Sequence, residues 1–325
     1  MALIVVQQMI IIFLLIAVGV IIFKMGHLSE RSSRDLSWIV VNVTNPITML
    51  VAALEDENKV SGGTLAGAFG YFALVYIILG VFSYIIPLVM RVEKDKRYSF
   101  RYMTVFGNVG FIGIPFCSAV LGLESIIYVT ICGLFFNLIF YTIGNSQMKK
   151  IGESQMAGDL KITSGRADEN ASSNGIFDRL PKWINTGTVM SVVTILIYLF
   201  DLKCPALLHS TLSYIGRCTT FISMAVLGVS VAQVSLKEIF SEKKLYLFTL
   251  LRQIIVPVII LFILKPFVPN DLMLESIVLL MAMPAANMPL MIAKQYGADE
   301  TMISKGIIMT TVLSVVTIPI VAVLL

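Results

Sequence analysis

The sequence predicts an all-helical membrane protein that crosses the bilayer ten times, as two halves of five helices with opposite orientation. Three observations support this fold class. Of the 325 residues, 57% are apolar and 14% are charged, with a mean hydropathy of +0.89. The apolar residues form long runs, and the lysines and arginines alternate between the connections that join them. Because soluble domains carry about 25% charged residues, the composition excludes an ordinary soluble enzyme.

Ten apolar stretches are long enough to cross a hydrocarbon core of about 30 Å. The first has no basic segment before it and no cleavage site after it, so we expect a retained helix rather than a signal peptide. The predicted spans are 2–23, 36–54, 63–90, 102–121, 125–145, 183–201, 211–233, 245–267, 272–293 and 301–325.

The basic residues give an independent test of this count, because lysine and arginine concentrate in cytoplasmic loops. With the N-terminus outside, nineteen of the 24 basic residues fall in inner connections and only Lys59, Lys203 and Lys265 fall in outer ones. A miscounted span would scramble this alternation. We therefore predict a plasma-membrane protein with both termini outside. Membrane loops do not form the contiguous basic face that nucleic acid requires, so no nucleic-acid partner is expected.

The long connection 146–182 divides the chain into a first repeat, 1–145, and a second repeat, 183–325. We interpret it as a flexible cytoplasmic linker, with a regulatory docking segment as the alternative. Five crossings per half is an odd number, so the second half enters the membrane in the opposite direction, as in inverted repeats. Aligning Pro115 with Pro289 superimposes the fourth and ninth spans and their following glycine and acidic residues.

Prolines interrupt both aligned spans. A proline inside a helix removes one backbone hydrogen bond and clashes with the preceding turn. We therefore expect the fourth and ninth helices to break near mid-membrane, with new half-helix N-termini at 116–118 and 290–292. The free N–H groups and positive dipole of such an end favour an anion. Two ordinary proline kinks are the alternative interpretation.

Uncharged polar residues inside the spans are the candidates for a binding site. An amide in hydrocarbon is costly unless it is paired. Asn42 and Asn45 in the second span therefore either contact a ligand or hydrogen-bond between helices, and the sequence favours neither reading. Asn287 lies at a predicted break, which favours ligand contact. We assign Asn137 and Thr310 to helix packing.

Few charges lie within the spans, which limits the coupling chemistry. All 20 acidic residues fall in loops or at span ends, so no buried carboxylate is predicted to carry protons. Arg217 and Arg252 lie inside spans, where each either snorkels to the boundary or complements an anion or a helix C-terminus. We expect no cofactor and no metal centre. A proton or sodium coupling ion stays open, because carbonyls at broken helices can bind sodium.

Two segments carry a family resemblance. Gly107-Asn-Val-Gly-Phe-Ile-Gly-Ile-Pro115 and Met283-Pro-Ala-Ala-Asn-Met-Pro-Leu-Met-Ile-Ala-Lys-Gln-Tyr-Gly297, together with Asn45-Pro46, resemble the auxin efflux carrier family and its bacterial members. The resemblance covers essentially the whole chain. It implies a five-plus-five inverted fold with crossing fourth and ninth helices, like that of sodium/proton antiporters and bile-acid transporters. It also implies a scaffold half, a moving transport half and a homodimer.

The resemblance further implies crossing prolines at Pro115 and Pro289 and substrate-contacting amides at Asn108 and Asn287. Plant members carry auxin and bacterial members are associated with malate and malonate, and the short central loop here argues against auxin. We predict a secondary transporter that moves a small mono- or dicarboxylate by alternating access. A non-transporting sensor for a small carboxylate is the alternative, and no motif for an intramembrane enzyme is present. The predicted substrate site comprises Asn42, Asn45, Asn108, Gly113, Pro115, Asn287 and Pro289.

Overall fold

The computed structural model describes residues 2–56, 59–159 and 184–325, and these ranges are helical without named strands. Seven of the described helices are long and apolar enough to cross a membrane, namely α1, α2, α3, α6, α8, α10 and α13. The helices are α1 (Ala2–Lys24), α2 (Glu30–Glu55), α3 (Gly62–Val89), α4 (Arg97–Val105), α5 (Val109–Val120), α6 (Leu123–Gln155), α7 (Thr186–Leu199), α8 (Ala206–Ala232), α9 (Leu236–Ser241), α10 (Lys243–Leu264), α11 (Asp271–Ala282), α12 (Met288–Tyr296) and α13 (Thr301–Val323).

Side-chain caps explain where several helices begin. Ser29, Ser61 and Asn270 accept hydrogen bonds from the backbone N–H three residues later, at the starts of α2, α3 and α11. Such a cap satisfies one of the donors that the first turn of a helix leaves unpaired. At the other end of α12, Gly297 adopts the left-handed conformation (φ 66°) that commonly terminates a helix.

The fifth predicted span ends too early, whereas the fourth and ninth are interrupted, as expected. The fifth extends well beyond 145, because Asn145–Asp159 continues as helix into the predicted linker. The rest of that linker, from 160 to 182, lies outside the described residues. The fourth and ninth spans are each interrupted, at residues 106–108 and 283–287 respectively. We call these interruptions the first break and the second break.

Four helices, α1, α2, α7 and α8, pack as one group. The backbones of α1 and α8 approach so closely that a Cβ on Gly228 would lie 2.4 Å from the carbonyl oxygen of Ile16. Small residues permit such close contact between membrane helices. The hydroxyl of Thr48 on α2 lies 3.1 Å from the Gly216 carbonyl oxygen and 2.8 Å from the Thr219 hydroxyl, both on α8.

The second group surrounds the two breaks and contains α4, α5, α6 and α10 to α13. Aromatic rings fill its core: Phe100 of α4 meets Phe248 of α10 edge-on at 5.3 Å, and Phe106 meets Phe140 of α6 at 5.0 Å. Edge-to-face pairs of this kind add stability beyond the apolar area they bury. The first break is therefore anchored by its own phenylalanine, and polar backbone at this depth is enclosed by protein.

At Pro46, Pro115 and Pro257 the helix continues past the proline through a local change of winding. π-Helical turns at Val40–Thr44, Val109–Gly113 and Leu251–Ile255 each end two residues before a proline. In each turn the residue before the proline donates to a carbonyl five residues back, as Ile114 does to Val109. The missing proline N–H is thereby accommodated without a break, which is a known use of π-bulges.

Candidate functional site

The two breaks cross each other and are joined by backbone hydrogen bonds. The Asn108 N–H donates to the Pro284 carbonyl oxygen at 2.7 Å, and the Ala286 N–H donates to the Phe106 carbonyl oxygen at 2.9 Å. Gly107 and Ala285 form an antiparallel bridge between the two donors. This pairing satisfies backbone groups that would otherwise be unpaired in a buried, non-helical segment.

Each break is followed by a half-helix whose N-terminus begins at the crossing. Asn108 caps α5, and its Oδ1 accepts from the Phe111 N–H at 3.2 Å. Asn287 is the N-cap of α12 but makes no side-chain capping hydrogen bond. The predicted N-terminus at 116–118 is wrong: α5 begins at Val109, because the π-turn accommodates Pro115 and the chain unwinds earlier, at Gly107. The second break lies close to its prediction, with Pro289 in the first turn of α12.

Three side chains from other helices hold the second break. Arg252 of α10 is 1% exposed, and its Nη1 donates to the Met281 carbonyl oxygen at the end of α11. The fully buried Gln253 donates to the carbonyl oxygens of Ala282 at 3.4 Å and Thr310 at 3.1 Å. The Ala285 N–H donates to the Thr310 hydroxyl at 3.1 Å. Thr310 therefore does more than the helix packing that we predicted for it.

Arg252 complements the C-terminal end of α11. In the described part of the chain no carboxylate lies within ion-pair distance of this guanidinium, so the negative end of the α11 dipole is the opposing charge. A Cβ on Gly107 would lie 3.2 Å from Arg252 Nη2. The guanidinium thus sits directly behind the first break. Of the three roles left open for Arg252, the structure favours contact with a helix C-terminus over snorkelling.

A cavity opens in front of the crossing. Its volume is about 100 Å³, and it is bounded by α2, α6, α7 and the first turns of α5 and α12. No charged side chain lines it. Its polar lining comes largely from amides and hydroxyls, and its apolar lining includes Phe111 and Phe136. The polar side chains are Asn45, Asn108, Asn137, Tyr141, Asn185, Ser191 and Asn287.

Three of these amides have a buried atom without a hydrogen-bond partner among the described residues: Asn45 Oδ1, Asn108 Nδ2 and Asn287 Oδ1. Asn45 is 7% exposed and Asn108 is 2% exposed. Leaving such atoms unpaired is costly, so native proteins rarely do so without a reason. The three amides provide both donors and acceptors toward the cavity, as a polar ligand would require.

Four of the predicted site residues do not line this cavity. Asn42 donates to the Trp38 carbonyl oxygen of its own helix at 3.0 Å and is absent from the cavity lining. A Cβ on Gly113 would meet Leu280 at 3.1 Å, so this glycine serves packing against α11. Pro115 and Pro289 are buried within the half-helices rather than at the cavity wall.

Pro115 instead lines a second cavity, of about 320 Å³, between α2, α5 and α8. Thr48, Ser118, Glu55 and Arg217 also line it. Ile114, which is 1% exposed, lines both cavities. The two cavities therefore meet at this side chain, and Arg217 places its positive charge in the second one rather than at the crossing.

Sequence reasoning missed two groups of residues. Asn137, assigned to packing, lines the first cavity, and a Cβ on Gly187 of α7 would lie 2.7 Å from its Nδ2. The signal was available, because Asn137 is an amide in the middle of a span. The consecutive polar pair Arg252-Gln253 inside the eighth span was a similar signal, but their common target, the end of α11, depends on the tertiary fold.

Comparison with known proteins identifies the family of this chain. An uncharacterized transporter of Methanocaldococcus jannaschii, MJ1031, is 22% identical over 323 residues, covering 95% of this chain and 94% of the relative. The family model described as "Membrane transport protein" matches residues 4–322. This match confirms the resemblance carried by the two break segments. The chain therefore belongs to the membrane transport protein family, that of the auxin efflux carriers.

Proposed function

We propose that this protein is a secondary transporter for a small organic anion, bound where the two half-helices begin. The observation that most strongly supports this proposal is that both half-helix N-termini and three unpaired amides lie at one cavity without charged side chains. A helix N-terminus favours negative charge, and its N–H groups suit a carboxylate. Arg252 adds a positive charge behind Gly107 without entering the cavity. No acidic side chain on the cavity wall opposes an anion.

The substrate we propose is a carboxylate small enough to lie between the half-helices, such as malate or malonate, and less suitably an auxin-like acid. Asn45 and Asn137 also line the cavity and would bind a hydroxyl or a second carboxylate. Phe111 and Phe136 would contact the carbon skeleton. Some lining residues would thus bind the substrate carboxylate, and the others would contact the rest of the substrate.

We propose that ten segments cross the membrane as two inverted repeats of five, with α4–α5 and α11–α12 as the broken fourth and ninth crossings. Support comes from the antiparallel crossing of the two breaks, which lie at corresponding places in the two halves. The charge distribution supports termini outside and a cytoplasmic central connection. The family resemblance supports a homodimer.

Alternating access would follow from movement of the group that carries the breaks against the group formed by α1, α2, α7 and α8. The first cavity reaches residues Val41 and Asn45 of α2, and the second reaches Thr48 and Glu55, further along the same helix. The cavities therefore lie at different depths and meet at Ile114. A shift of α5 along α2 would open one cavity and close the other.

We further propose that sodium is not required. In transporters of this type, half-helix C-terminal carbonyls are candidate ligands for a coupling cation. Here the carbonyls of Met281 and Ala282 already accept from Arg252 and Gln253. Uptake at equal ionic strength should be the same in sodium and potassium buffers, and a strict sodium requirement would contradict this point alone.

The test combines binding with transport. Thermal-shift measurements with a series of mono- and dicarboxylates identify a ligand, and its radiolabelled form is then followed into proteoliposomes. Asn287→Ala should lower uptake at least tenfold, because it removes an unpaired amide at the cavity. Asn42→Ala is the matched control, since Asn42 bonds only to Trp38 in its own helix, and it should transport normally.

The possible outcomes separate the alternatives. Binding with flux that depends on Asn287 supports the transporter. Binding without flux supports the sensor instead. No stabilisation by any carboxylate would overturn the proposed anion class, and equal loss in the Asn287→Ala and Asn42→Ala variants would overturn the proposed location of the site.

A further inference from the structure

A groove lies between α3, α4 and α6, and Phe106 of the first break lines one side of it. It has an apolar part of about 540 Å³ and a basic part of about 570 Å³, and Arg101 lines both. The site proposed for transport shares no lining residue with either part. The groove is therefore a separate feature with two chemically different ends.

The apolar part has the position and chemistry of a lipid-facing surface. Ile77 of α3 is 64% exposed and Ile143 of α6 is 56% exposed, and both line the groove. Between them, a Cβ built on Gly80 would have no neighbouring atom within 4 Å. The glycine thus leaves an open channel along α3, wide enough for a hydrocarbon chain.

The basic part lies where α3 ends and α4 begins, beside the extension of α6. Lys94, Arg97, Arg101 and Lys150 line it with a single acid, Asp95. Within the described ranges, none of these four basic side chains has a carboxylate oxygen within 4.0 Å. The groove end therefore has a positive charge that no carboxylate of the described residues neutralises by an ion pair.

Arg101 joins the two parts. Its guanidinium carbon lies 4.1 Å from the ring centroid of Tyr84, which is 53% exposed at the end of α3. Its Nε is buried and has no hydrogen-bond partner among the described residues. The ring holds the guanidinium in place beside the groove, where its positive charge would attract an anion. Tyrosines are enriched at this depth, where the hydrocarbon meets the headgroups.

We propose that this groove binds an anionic phospholipid, with one acyl chain along Gly80 and the phosphate at Arg101, Lys94 and Lys150. The match is one of charge and of shape. Basic pockets between membrane helices bind acidic headgroups, and the apolar channel gives the attached chain a continuous contact. A soluble phosphate would use only the basic part and leave the apolar channel empty.

Native mass spectrometry of the full-length protein in detergent tests the proposal. The probes are phosphatidylglycerol and phosphatidylethanolamine with identical acyl chains, and inorganic phosphate alone. In the wild type, phosphatidylglycerol should bind about tenfold more tightly than phosphatidylethanolamine. The double variant Lys94→Gln/Lys150→Gln should abolish this preference, because both lysines are exposed and have no other ion pair to lose.

Matched controls separate charge at the groove from charge elsewhere. Lys24→Gln/Lys237→Gln removes two exposed lysines outside the groove and should leave the preference intact. Gly80→Leu should weaken both lipids by filling the channel, whereas Gly70→Leu, at a position on α3 that is equally open, should not. Circular dichroism of each variant confirms that it is folded.

Several results would overturn the proposal. Equal affinity for the two lipids in the wild type would remove the headgroup contact. An unchanged preference in Lys94→Gln/Lys150→Gln would place that contact elsewhere. Full competition by inorganic phosphate, with no effect of Gly80→Leu, would identify a soluble-anion site instead of a lipid site.

Discussion

The two breaks occupy equivalent places in the crossing but are stabilised in different ways. The first is stabilised by residues close to it in sequence: Asn108 caps the half-helix that follows it, and a π-turn accommodates Pro115. The second is stabilised by residues of other helices, namely Arg252 and Gln253 of α10 and Thr310 of α13. Similar broken helices can therefore depend on local or on long-range interactions.

This difference separates binding from stability at one break and couples them at the other. Asn108 uses one atom of its amide to cap α5 and leaves the other for a ligand. Asn287 makes no side-chain cap, and other residues maintain its break. Substitutions should therefore have one kind of effect at Asn287 and two kinds at Asn108.

The largest effect should come from placing negative charge at either amide. Asn287→Asp sets a carboxylate at roughly 4 Å from the proposed anion, where repulsion is about 4 kcal/mol at an effective dielectric constant of 20. Affinity should fall by roughly a thousandfold. Titration of the identified carboxylate by calorimetry measures this loss, and Asn42→Asp, away from the cavity, should retain normal affinity. Undiminished affinity in Asn287→Asp would contradict the site.

The next largest effect should come from destabilising the second break. Arg252→Met removes the donor to the Met281 carbonyl and leaves it unpaired, which costs about 1–3 kcal/mol. The melting temperature of the detergent-purified protein should fall, while Arg217→Met, in the second cavity, should leave it unchanged. A melting temperature that stays at the wild-type value in Arg252→Met would show that the second break does not depend on this contact.

A smaller effect should distinguish Asn108 from Asn287 by their contributions to stability. Asn108→Ala should lower the free energy of unfolding by about 1 kcal/mol, because it removes an N-cap, and should also weaken ligand binding. Asn287→Ala should weaken binding with little change in stability. Chemical denaturation compares the two variants, and equal destabilisation by both would remove the distinction drawn between the breaks.

The smallest effect should lie away from both breaks. Lys59 donates to the Asp201 carboxylate, and this contact lowers the carboxyl pKa below its usual value. The stabilisation is therefore present above the unfolded-state pKa and is lost as pH falls through the folded-state pKa. Asp201→Asn should flatten the acid side of the melting temperature against pH, leaving transport at neutral pH unchanged. An identical pH profile in the variant would show that the pair contributes nothing.

The sequence analysis located both breaks within the correct spans and identified three cavity residues, Asn45, Asn108 and Asn287. These succeeded because hydropathy and an unpaired amide are local signals. The exact position of the first break was wrong, since proline alone does not distinguish a break from a π-bulge. Here Gly107, at the crossing itself, and the cap at Asn108 determine where the chain unwinds.

The remaining errors concern contacts between residues distant in the chain. Asn42 and Asn45 are equivalent by sequence, yet helix rotation turns only Asn45 toward the cavity. The interaction of Arg252 with the end of α11 depends on how α10 packs in the fold, and its alternatives could not be separated beforehand. Asn137, assigned to packing, also lines the cavity, and this depends on α7 passing in front of α6.

The position of Ile114 between the two cavities affects where the transmembrane voltage would fall. When the cavities on its two sides fill with electrolyte, most of the transmembrane voltage falls across the thin layer of protein around this side chain. Moving one elementary charge through the full field is worth about 2.3 kcal/mol per 100 mV. An anion that passes Ile114 would therefore cross most of the field in one short step, so the membrane voltage would act on the carrier chiefly at the moment of its conformational change.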